Sequence, residues 1–438
     1  MDALPAPTPL RIDAATQALS LAGTFAQPAD QILHQFFRTR RELGQLDRAF
    51  AAEVMFAVLR RWRTLQQRAL TTATPDDVLP AAPAASASPR RLVLLALTSI
   101  YGLSARALEP VIGRIDAEWL ARSHALDQGS LPPALALDIP DWLYQRLHAK
   151  HGVEETAQLV GALNQPAPLD LRVNPMKIDR PDALGRLHAL GLTARATPYS
   201  PLGMRIDGRP TLGREPLYES GSIEVQDEGS QLLALLVAPK RREMVVDFCA
   251  GAGGKTLALG ALMQSTGRLY AFDVSARRLK AFEPRLKRSG LSNVHPQVLE
   301  SETDARVKRL AGKIDRVLVD APCTGLGTLR RNPDMKWRQS ENAIAEMVAK
   351  QTAILASSAR LVKPGGRLVY ATCSLLDEEN GDLVASFLAA NPTFTLIPAN
   401  EVLRAQGIAL DTGPFLELLP HRHGTDGFFA AVLGRSAG

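Results

Sequence analysis

The sequence predicts an α/β protein in which a parallel sheet follows a small α+β module and an all-helical N-terminal part. From Gln231 onward strand-like runs alternate with helical runs, among them a long helix from Glu341 to Val362, and this pattern is typical of a parallel sheet with helices on both faces. Helical periodicity fills roughly the first 160 residues, and short β-type runs separated by Gly, Pro and Asp follow it. We therefore expect three parts, residues 1–160, 161–230 and 231–438.

Arginine is concentrated in the helical part. The segments RTRRELGQLDR (Arg38 to Arg48) and RRWRTLQQR (Arg60 to Arg68) are interpreted as helices on either side of the apolar helix RAFAAEVMFAVL. A solvated helical face and a nucleic-acid surface both stay open for these arginines. A Pro/Ala/Ser-rich stretch, about residues 71–90, has no periodicity and predicts a flexible loop.

Composition narrows the class of protein. A chain of 438 residues is long enough for two or three domains, and its net charge of +6 is compatible with an anionic partner. The first residues lack a basic start followed by an apolar run, and no apolar stretch is long enough to span a bilayer. Three cysteines cannot form a disulfide framework. We expect a cytoplasmic monomer with free thiols and no membrane segment.

Polar side chains occupy the carboxyl ends of the predicted strands. Asp247, Asp273 and Asp320 each close a strand-like run, and the runs DRVLVDAPC and RLVYATCS carry Cys323 and Cys373 near their ends. Ligands of open α/β sheets bind outside this edge, and a buried carboxylate is unfavourable unless it is paired or hydrated, so these ends predict a shared cleft. The thiols predict nucleophilic catalysis, with two buried, inert thiols as the structural alternative.

The glycine-rich turn DFCAGAGGKT (Asp247 to Thr256) is weighed against three kinds of nucleotide site. A P-loop requires glycine where this chain has Cys249, and a dinucleotide fingerprint requires glycine at the position of Thr256. An S-adenosylmethionine site requires only that the glycines let the backbone approach the amino acid end of the cofactor. Asp273 lies about 20 residues further on, where a carboxylate would meet ribose hydroxyls. The turn therefore favours S-adenosylmethionine.

Several motifs together carry a family resemblance. DFCAGAGGKT, DAPCTGLGTLRRNPD and ATCS, with QDEGSQL before them and DGFFAA after them, resemble the RsmB/Sun/Nop2 family of RNA cytosine-5 methyltransferases, and the bacterial RsmB branch most closely. LDRAFAAEVMFAVLR and DIPDWLYQRL are similar to segments of the NusB-like RNA-binding domain of that branch, and LRVNPMK resembles the opening of the small module. The resemblance implies a Rossmann-like methyltransferase sheet that uses S-adenosylmethionine.

The resemblance also implies a covalent mechanism. Cytosine C5 is a poor nucleophile, so a thiolate adds to C6, C5 takes the methyl group, and the C5 proton and the thiol then leave. By resemblance Cys373 is the nucleophile and Cys323 assists release. Asp320 would hold the exocyclic amine and N3 of the base. Lys255 is open between lowering a thiol pKa, contacting the base and simply carrying charge at a helix start.

Cofactor contacts follow from the same resemblance, and no metal is implied. Gly251 and Ala252 replace the Ala-Pro pair that the family usually has in the turn, and we expect the cofactor still to bind. The acidic residue near the adenine is Glu300 in an ungapped register or Asp304 if the loop is longer. The expected cofactor-binding residues are Cys249, Ala250, Gly251, Ala252, Gly253, Gly254, Lys255, Asp273, Glu300 and Asp320.

The expected substrate is a flipped or single-stranded cytosine in RNA, because a base inside a paired stem is not accessible. The resemblance implies small-subunit ribosomal RNA, whereas the residues alone leave ribosomal, transfer and other RNAs open. The alternative is a non-catalytic RNA-binding assembly factor that kept the fold. Retention of Cys323, Cys373 and Asp320 together argues against it, since binding alone needs no pair of thiols. A P-loop NTPase is disfavoured by Cys249.

Overall fold

The structure is a computed structural model that describes residues 4–72, 87–125, 131–208 and 210–437. Most of the predicted flexible loop, residues 73–86, lies outside these ranges. Within them no helix is long and apolar enough to cross a membrane.

The N-terminal region is helical. Thr8 caps its first helix by accepting the N–H of Arg11 at 3.2 Å, and Pro9 stands at the first helical position, where its missing N–H costs nothing. The segment Arg38 to Arg48, which we interpreted as a helix, instead spans the turn between the second and third helices, because the chain leaves the helix after Thr39. The helices are α1 (Pro9–Ala22), α2 (Ala29–Thr39), α3 (Gln45–Arg60), α4 (Trp62–Thr71), α5 (Pro89–Ser99), α6 (Ala105–Ile112), α7 (Arg114–Ala125), α8 (Pro133–Ala136) and α9 (Asp141–Leu163).

A small antiparallel sheet follows, with strand order β2-β3-β1-β4. The apolar residues that alternate along β1 and β3, among them Leu171 and Met204, are buried and form a core of their own with residues of α10. Its elements are β1 (Leu169–Val173), α10 (Arg180–Ala189), β2 (Ala194–Ala196), β3 (Gly203–Ile206), α11 (Pro216–Glu219) and β4 (Ile223–Val225).

A large α/β layer occupies the rest of the chain apart from residues 329–340, which carry the short helix Met335–Arg338 and belong to the helical unit. The predicted helix Glu341 to Val362 is too long, because Val362 pairs with Ile314 and begins a strand. The elements are α12 (Glu228–Val237), β5 (Met244–Asp247), α13 (Gly254–Leu262), β6 (Arg268–Asp273), α14 (Ala276–Ser289), β7 (Val294–Val298), α15 (Ala305–Arg309), β8 (Ile314–Asp320), α16 (Met335–Arg338), α17 (Glu341–Ala359), β9 (Val362–Thr372), α18 (Gly381–Ala390), β10 (Phe394–Ile397), α19 (Ala399–Arg404), β11 (Leu416–Leu418), α20 (Pro420–His423) and β12 (Phe428–Arg435), with 3-10 turns at Leu326–Thr328 and Asp377–Glu379.

The large sheet is mixed rather than wholly parallel. Strands β7, β6, β5, β8 and β9 run parallel in that order, whereas β12 pairs with β9 antiparallel, and β10 and β11 pair antiparallel with β12. An antiparallel edge on a parallel sheet is common in large sheets. The strand order reverses between β5 and β8, and such a switch point is where open α/β sheets bind ligands.

The chain divides into two compact units. The helical unit contains Met1–Pro166 together with Leu329–Ser340, and the second unit contains Ala167–Thr328 together with Glu341–Gly438. The helical unit therefore includes a segment that follows β8 by sequence. The three-part division at residues 160 and 230 stays a prediction.

Buried contacts attach Leu329–Ser340 to the helical unit. The Lys336 ammonium is fully buried and donates to the Arg60 carbonyl oxygen at 3.0 Å and to Asn164 Oδ1 at 2.7 Å. The Trp337 indole N–H donates to the Leu59 carbonyl oxygen at 2.9 Å. These bonds fix the segment to the ends of α3 and α9.

Candidate active site

Two thiols meet at the carboxyl edge of the large sheet. Cys373 follows β9 directly, and Cys323 lies three residues beyond the end of β8, which is the neighbouring parallel strand. Their Sγ atoms are 3.3 Å apart, and both side chains are partly buried. The structure thus brings together two residues that are 50 positions apart in the sequence.

The environment of Cys323 and Cys249 raises the pKa of both thiols. The hydrogen bond with Cys373 is the largest cause that raises the pKa of Cys323 well above its ordinary value, followed by burial and by the charges of Cys373 and Glu379. Cys323 therefore keeps its proton at neutral pH. Burial, with the nearby Asp247 carboxylate, also raises the pKa of Cys249 in the glycine turn. A protonated thiol is a poor nucleophile, so Cys249 suits a packing role.

A charged pair lies at the same edge. Lys255 Nζ is 2.7 Å from Asp320 Oδ2 and 5.7 Å from the centre of the Phe428 ring. Burial alone would lower the pKa of Lys255, but the Asp320 charge and hydrogen bond, with smaller contributions from Asp247 and Cys373, raise it above the ordinary value. Lys255 is therefore a fixed positive charge within electrostatic reach of Cys373.

The glycine turn after β5 binds the end of β6. The Gly251 N–H donates to Asp273 Oδ2 at 2.8 Å, and the Ser275 N–H donates to Asp273 Oδ1 at 2.7 Å. Gly253 has a φ of 79°, and a Cβ there would lie 2.0 Å from the Phe282 ring. Only glycine fits this position, because both the backbone conformation and the contact exclude a side chain.

Two arginines hold the backbone carbonyls of this turn. An Arg285 guanidinium N–H donates to the Ala252 oxygen at 2.6 Å, and Arg172 of the LRVN motif donates to the Gly254 oxygen at 2.9 Å. Arg172 also donates to Gln226 of the QDEGSQL motif. The motifs outside the glycine turn therefore support the turn structurally. The Ala250 oxygen accepts the Gly253 N–H at 2.8 Å and closes the turn itself.

Asp247 is buried beneath the turn. Its Oδ2 accepts the Thr256 hydroxyl at 2.7 Å, and its Oδ1 has no hydrogen-bond partner among the residues that the structure describes. Burial is the main cause that raises the pKa of Asp247 to about 7, and the charge of Asp320 adds to it. Asp247 thus carries unused hydrogen-bonding capacity next to the turn.

The two candidates for the adenine-side acid have different roles in the loop after β7. Asp304 accepts the Glu300 N–H at 3.0 Å and holds the Arg306 guanidinium with both carboxylate oxygens. Its hydrogen bonds with Arg306 lower the pKa of Asp304 below its usual range. Glu300 is exposed at the surface. Asp304 is therefore engaged in shaping the loop, while the Glu300 side chain extends from it.

Backbone contacts lock three motifs together beside the thiols. The Gly327 N–H donates to the Cys373 carbonyl oxygen, and the Gly427 N–H donates to the Gly327 oxygen, both at 2.8 Å. A Cβ at Gly327 would lie 2.2 Å from the Gly427 oxygen. The PCTGLG, TCS and DGFF motifs thus form one close-packed framework, which explains glycine at both positions.

Comparisons with known proteins agree with this geometry. A family model described as "16S rRNA methyltransferase RsmB/F" matches residues 234–434, and a second, "Methyltr_RsmF/B-like, ferredoxin-like domain", matches residues 139–211. A protein of Synechocystis named "Probable ribosomal RNA small subunit methyltransferase B" is 33% identical over 419 residues, which cover 91% of this chain and 93% of that protein. The chain belongs to the RsmB/F methyltransferase family.

Solved structures show the same fold. The crystal structure of PH0851 superposes with a TM-score of 0.75 and 26% identity, and it covers 98% of this chain and 99% of its own. NSun6 from Pyrococcus horikoshii, solved with SFG, superposes with a TM-score of 0.60 at 22% identity, covering 68% of this chain and 98% of its own. The large sheet is therefore a Rossmann-like methyltransferase sheet, and the cofactor of this RsmB/F family member is S-adenosylmethionine.

The residues at the turn fit that cofactor. A Cβ built on Gly251 meets nothing within 4 Å, so the backbone faces open space there. Among the residues that the structure describes, no side chain caps the start of α13, so its first N–H groups suit a carboxylate. Asp273 and the Asp247 Oδ1 atom suit hydroxyl or ammonium donors. The donor set matches an amino acid joined to a ribose.

Sequence reasoning missed residues that support the thiols. Glu379 is fully buried and contacts the residues that follow both cysteines. The position of Glu379, shortly after the TCS motif at a strand end, was a possible signal in the sequence. An acidic residue that is buried at such a place must accept hydrogen bonds from its neighbours. Asp334, the last residue of the DAPCTGLGTLRRNPD motif, accepts the Ala29 N–H at 3.2 Å within the helical unit.

Proposed function

We propose that this RsmB/F protein transfers a methyl group from S-adenosylmethionine to C5 of a cytidine in small-subunit ribosomal RNA, through a covalent bond between Cys373 and cytosine C6. The observation that carries the proposal is the 3.3 Å thiol pair at the ends of two adjacent strands, beside the ion pair of Lys255 and Asp320. A binding protein has no use for such a pair.

The chemistry assigns different tasks to the two thiols. Cys373 attacks C6 as the thiolate, and Lys255 stabilises this charge from nearby. Bond formation removes the hydrogen bond and the charge of Cys373, which are causes of the high pKa of Cys323. The pKa of Cys323 therefore falls once the adduct has formed. At that stage a base must remove the C5 proton so that Cys373 can leave, and the Cys323 thiolate can serve as this base. This order of events explains why two thiols are needed.

Asp320 is assigned to the base. One of its oxygens is paired with Lys255, and the other is available to accept the exocyclic amine of cytosine. Hydrogen bonding to the amine would orient the ring and stabilise it as electron density moves from C6 towards C5. Asp320 and Lys255 together would thus hold the base over the thiols.

S-adenosylmethionine supplies an electrophilic methyl group when bound. We assign its amino acid end to the turn formed by Cys249, Ala250, Gly251, Ala252, Gly253 and Gly254, and its ribose to Asp273. Glu300 is the preferred adenine-side acid, because Asp304 is occupied by Arg306 and the Glu300 N–H.

The substrate assignment rests on the names of relatives. The Synechocystis protein is named for small-subunit ribosomal RNA, and the family model is described as acting on 16S rRNA. We extend this substrate class to the present chain, with a NusB-like RNA-binding role for the helical unit. A cytoplasmic, monomeric protein remains our prediction.

Methyl transfer from radiolabelled S-adenosylmethionine tests the proposal. Unmodified ribosomal and transfer RNA are incubated with wild type, Cys323→Ala and Cys373→Ala, and each product is resolved on a denaturing gel and digested to nucleosides. We expect label in 5-methylcytidine of ribosomal RNA, at least about a thousandfold loss in Cys373→Ala, and a gel-stable protein–RNA adduct in Cys323→Ala.

Other outcomes would reassign the protein. Normal turnover by Cys323→Ala, or an adduct in Cys373→Ala instead, would show that the roles of the two thiols are reversed or shared. Absence of label on every RNA, despite cofactor binding, would favour an assembly factor that kept the fold.

A further inference from the structure

A buried carboxylate lies behind the two cysteine loops. Glu379 is 0% exposed and belongs to the 3-10 turn that follows the TCS motif. Its Oε1 accepts the Thr324 N–H and the Gln351 side-chain N–H, both at 2.9 Å. Its Oε2 accepts the Thr324 hydroxyl at 2.5 Å and the Ser374 hydroxyl. Both carboxylate oxygens are therefore saturated with donors, as a buried charge requires.

The donors identify what the carboxylate connects. Thr324 is the residue after Cys323, and Ser374 is the residue after Cys373. Their hydroxyl oxygens are 3.1 Å apart, so Glu379 Oε2 completes a closed triangle with them. One side chain thus fixes both thiol-bearing loops relative to each other.

Neighbouring bonds extend the same framework. Gln351 of α17, besides contacting Glu379, donates to the Pro322 carbonyl oxygen at 2.9 Å, on the other side of Cys323. Asn380 donates to the Ser374 carbonyl oxygen at 3.1 Å. The loop that carries Cys323 is therefore bound on both sides of the thiol, and the turn that carries Glu379 is bound to the other loop.

We propose that Glu379 is a positioning residue that holds the Cys323 and Cys373 thiols in register for attack and release. The inference deepens the proposed function and rests on it. A carboxylate in a fully buried site is unfavourable unless it accepts several hydrogen bonds. The carboxylate of Glu379 accepts them from the two cysteine loops, through Thr324 and Ser374, and from Gln351. Its charge is also one of the causes that keep the pKa of Cys323 high.

Two substitutions distinguish the hydrogen bonds of the Glu379 side chain, which hold the two loops, from its negative charge. Glu379→Ala removes the acceptors, whereas Glu379→Gln keeps one carbonyl acceptor for Thr324 and Gln351 and lets its amide donate to the two hydroxyls, which can rotate. We expect kcat to fall about a hundredfold in the alanine variant, because a misplacement of about 1 Å costs that much. The RNA KM and the cofactor affinity should stay within about threefold, and the glutamine variant should recover most of kcat.

Tyr370→Phe is the matched control. The Tyr370 hydroxyl donates to the Glu379 backbone carbonyl at 2.7 Å, so this variant removes a buried bond to the same residue without touching the carboxylate. If Glu379 only stabilised the fold, Glu379→Ala and Tyr370→Phe would each lose activity in proportion to their loss of folded protein. We expect Tyr370→Phe to keep kcat within about twofold at a temperature where it is folded.

A second readout measures register without any methyl transfer. Phenylarsine oxide bridges two close thiols by forming two As–S bonds and releasing water, so one equivalent should consume two thiols in wild type. We expect Cys323→Ser and Cys373→Ser to lose this capture, Glu379→Ala to capture at least about tenfold more slowly, and Glu379→Gln and Tyr370→Phe to resemble wild type.

The two readouts distinguish the possible failures. Arsenic capture that depends on Glu379, without 5-methylcytidine in any RNA, would refute the proposed function while supporting the positioning role. Capture and kcat at wild-type levels in Glu379→Ala would overturn the positioning role, as would equal losses in Glu379→Ala and Tyr370→Phe at matched folded fractions.

Discussion

Lys255 shows at the residue scale how burial and pairing combine at this site. Its ammonium is held by Asp320 at 2.7 Å, and the pairing outweighs burial, so the pKa of Lys255 is raised. The sequence left Lys255 open between a catalytic charge and a helix-start charge. The contact with Asp320 could not be derived from the sequence, because it joins residues 65 positions apart.

Substitution of Lys255 tests its role towards Cys373. Lys255→Met should lower kcat at pH 7 by about 10- to 100-fold, because a nearby cation favours the thiolate. Lys255→Arg keeps a cation at this position and should retain more activity at pH 7. Methyl transfer by the three proteins, measured at pH 7 with saturating RNA and cofactor, gives each kcat. A kcat of Lys255→Met within about twofold of wild type would assign Lys255 to structure only.

Asp247 makes stability depend on pH. Its pKa is raised to about 7 by burial, so between about pH 4 and pH 7 the folded protein holds a proton that the unfolded chain releases. The free energy of unfolding should therefore fall as pH rises through this interval, by up to about 4 kcal/mol. Asp247→Asn should remove that slope and be the more stable protein at pH 8. Urea unfolding of the cofactor-free proteins, followed by circular dichroism at pH 5 and pH 8, measures the difference; equal slopes would contradict it.

Strand ends were the part of the site that the sequence could predict at the scale of elements. Asp247, Asp273 and Asp320 do close β5, β6 and β8, because the alternation of apolar runs and glycine turns is a local signal. The boundary at Val362 was missed because KPGG follows it inside β9, where glycines are usually a strand break. Glu379 was missed because two of its three donor residues, Thr324 and Gln351, lie 55 and 28 positions away in the sequence.

The segment Leu329–Ser340 is the least predictable element. Its sequence continues directly from the Cys323 loop, yet it packs within the helical unit through Lys336 and Trp337. Sequence patterns indicate contacts between residues that are close along the chain, whereas the bond from Lys336 to the Arg60 carbonyl oxygen spans more than 270 residues. Lys336 is therefore buried and Trp337 partly buried, although both follow the Cys323 loop closely in the sequence.

Lys336 allows this packing to be tested. Burial lowers the pKa of Lys336 to about 7, so between about pH 7 and pH 10 the unfolded chain binds a proton that the folded unit does not. The free energy of unfolding should rise with pH in this interval relative to Lys336→Met, by up to about 4 kcal/mol. All four tryptophans, Trp62, Trp119, Trp142 and Trp337, lie in the helical unit, so their fluorescence reports its unfolding. A pH-independent difference would show that Lys336 is solvated.

At the scale of the whole molecule, several arginines of the basic N-terminal segments form bonds within the helical unit. Arg60 donates to the Arg330 carbonyl oxygen at 3.1 Å, Arg63 pairs with Asp141 at 2.8 Å, and Arg68 donates to the Ser123 carbonyl oxygen at 3.2 Å. These arginines serve the packing of the helical unit. The family could nevertheless be predicted from the sequence, because several motifs occur together in a fixed order and their joint occurrence is specific.

The proposed mechanism depends most on the bond between Cys373 and the target base. RNA that contains 5-azacytidine should trap the wild-type enzyme, because nitrogen at position 5 carries no proton to lose and the thiol cannot be eliminated. Digestion with protease and nuclease, followed by mass spectrometry, identifies the modified peptide. We predict a nucleotide on the peptide that contains Cys373 and none on Cys249 or Cys323. A nucleotide on Cys323, or no adduct with an RNA that the enzyme methylates, would contradict the account.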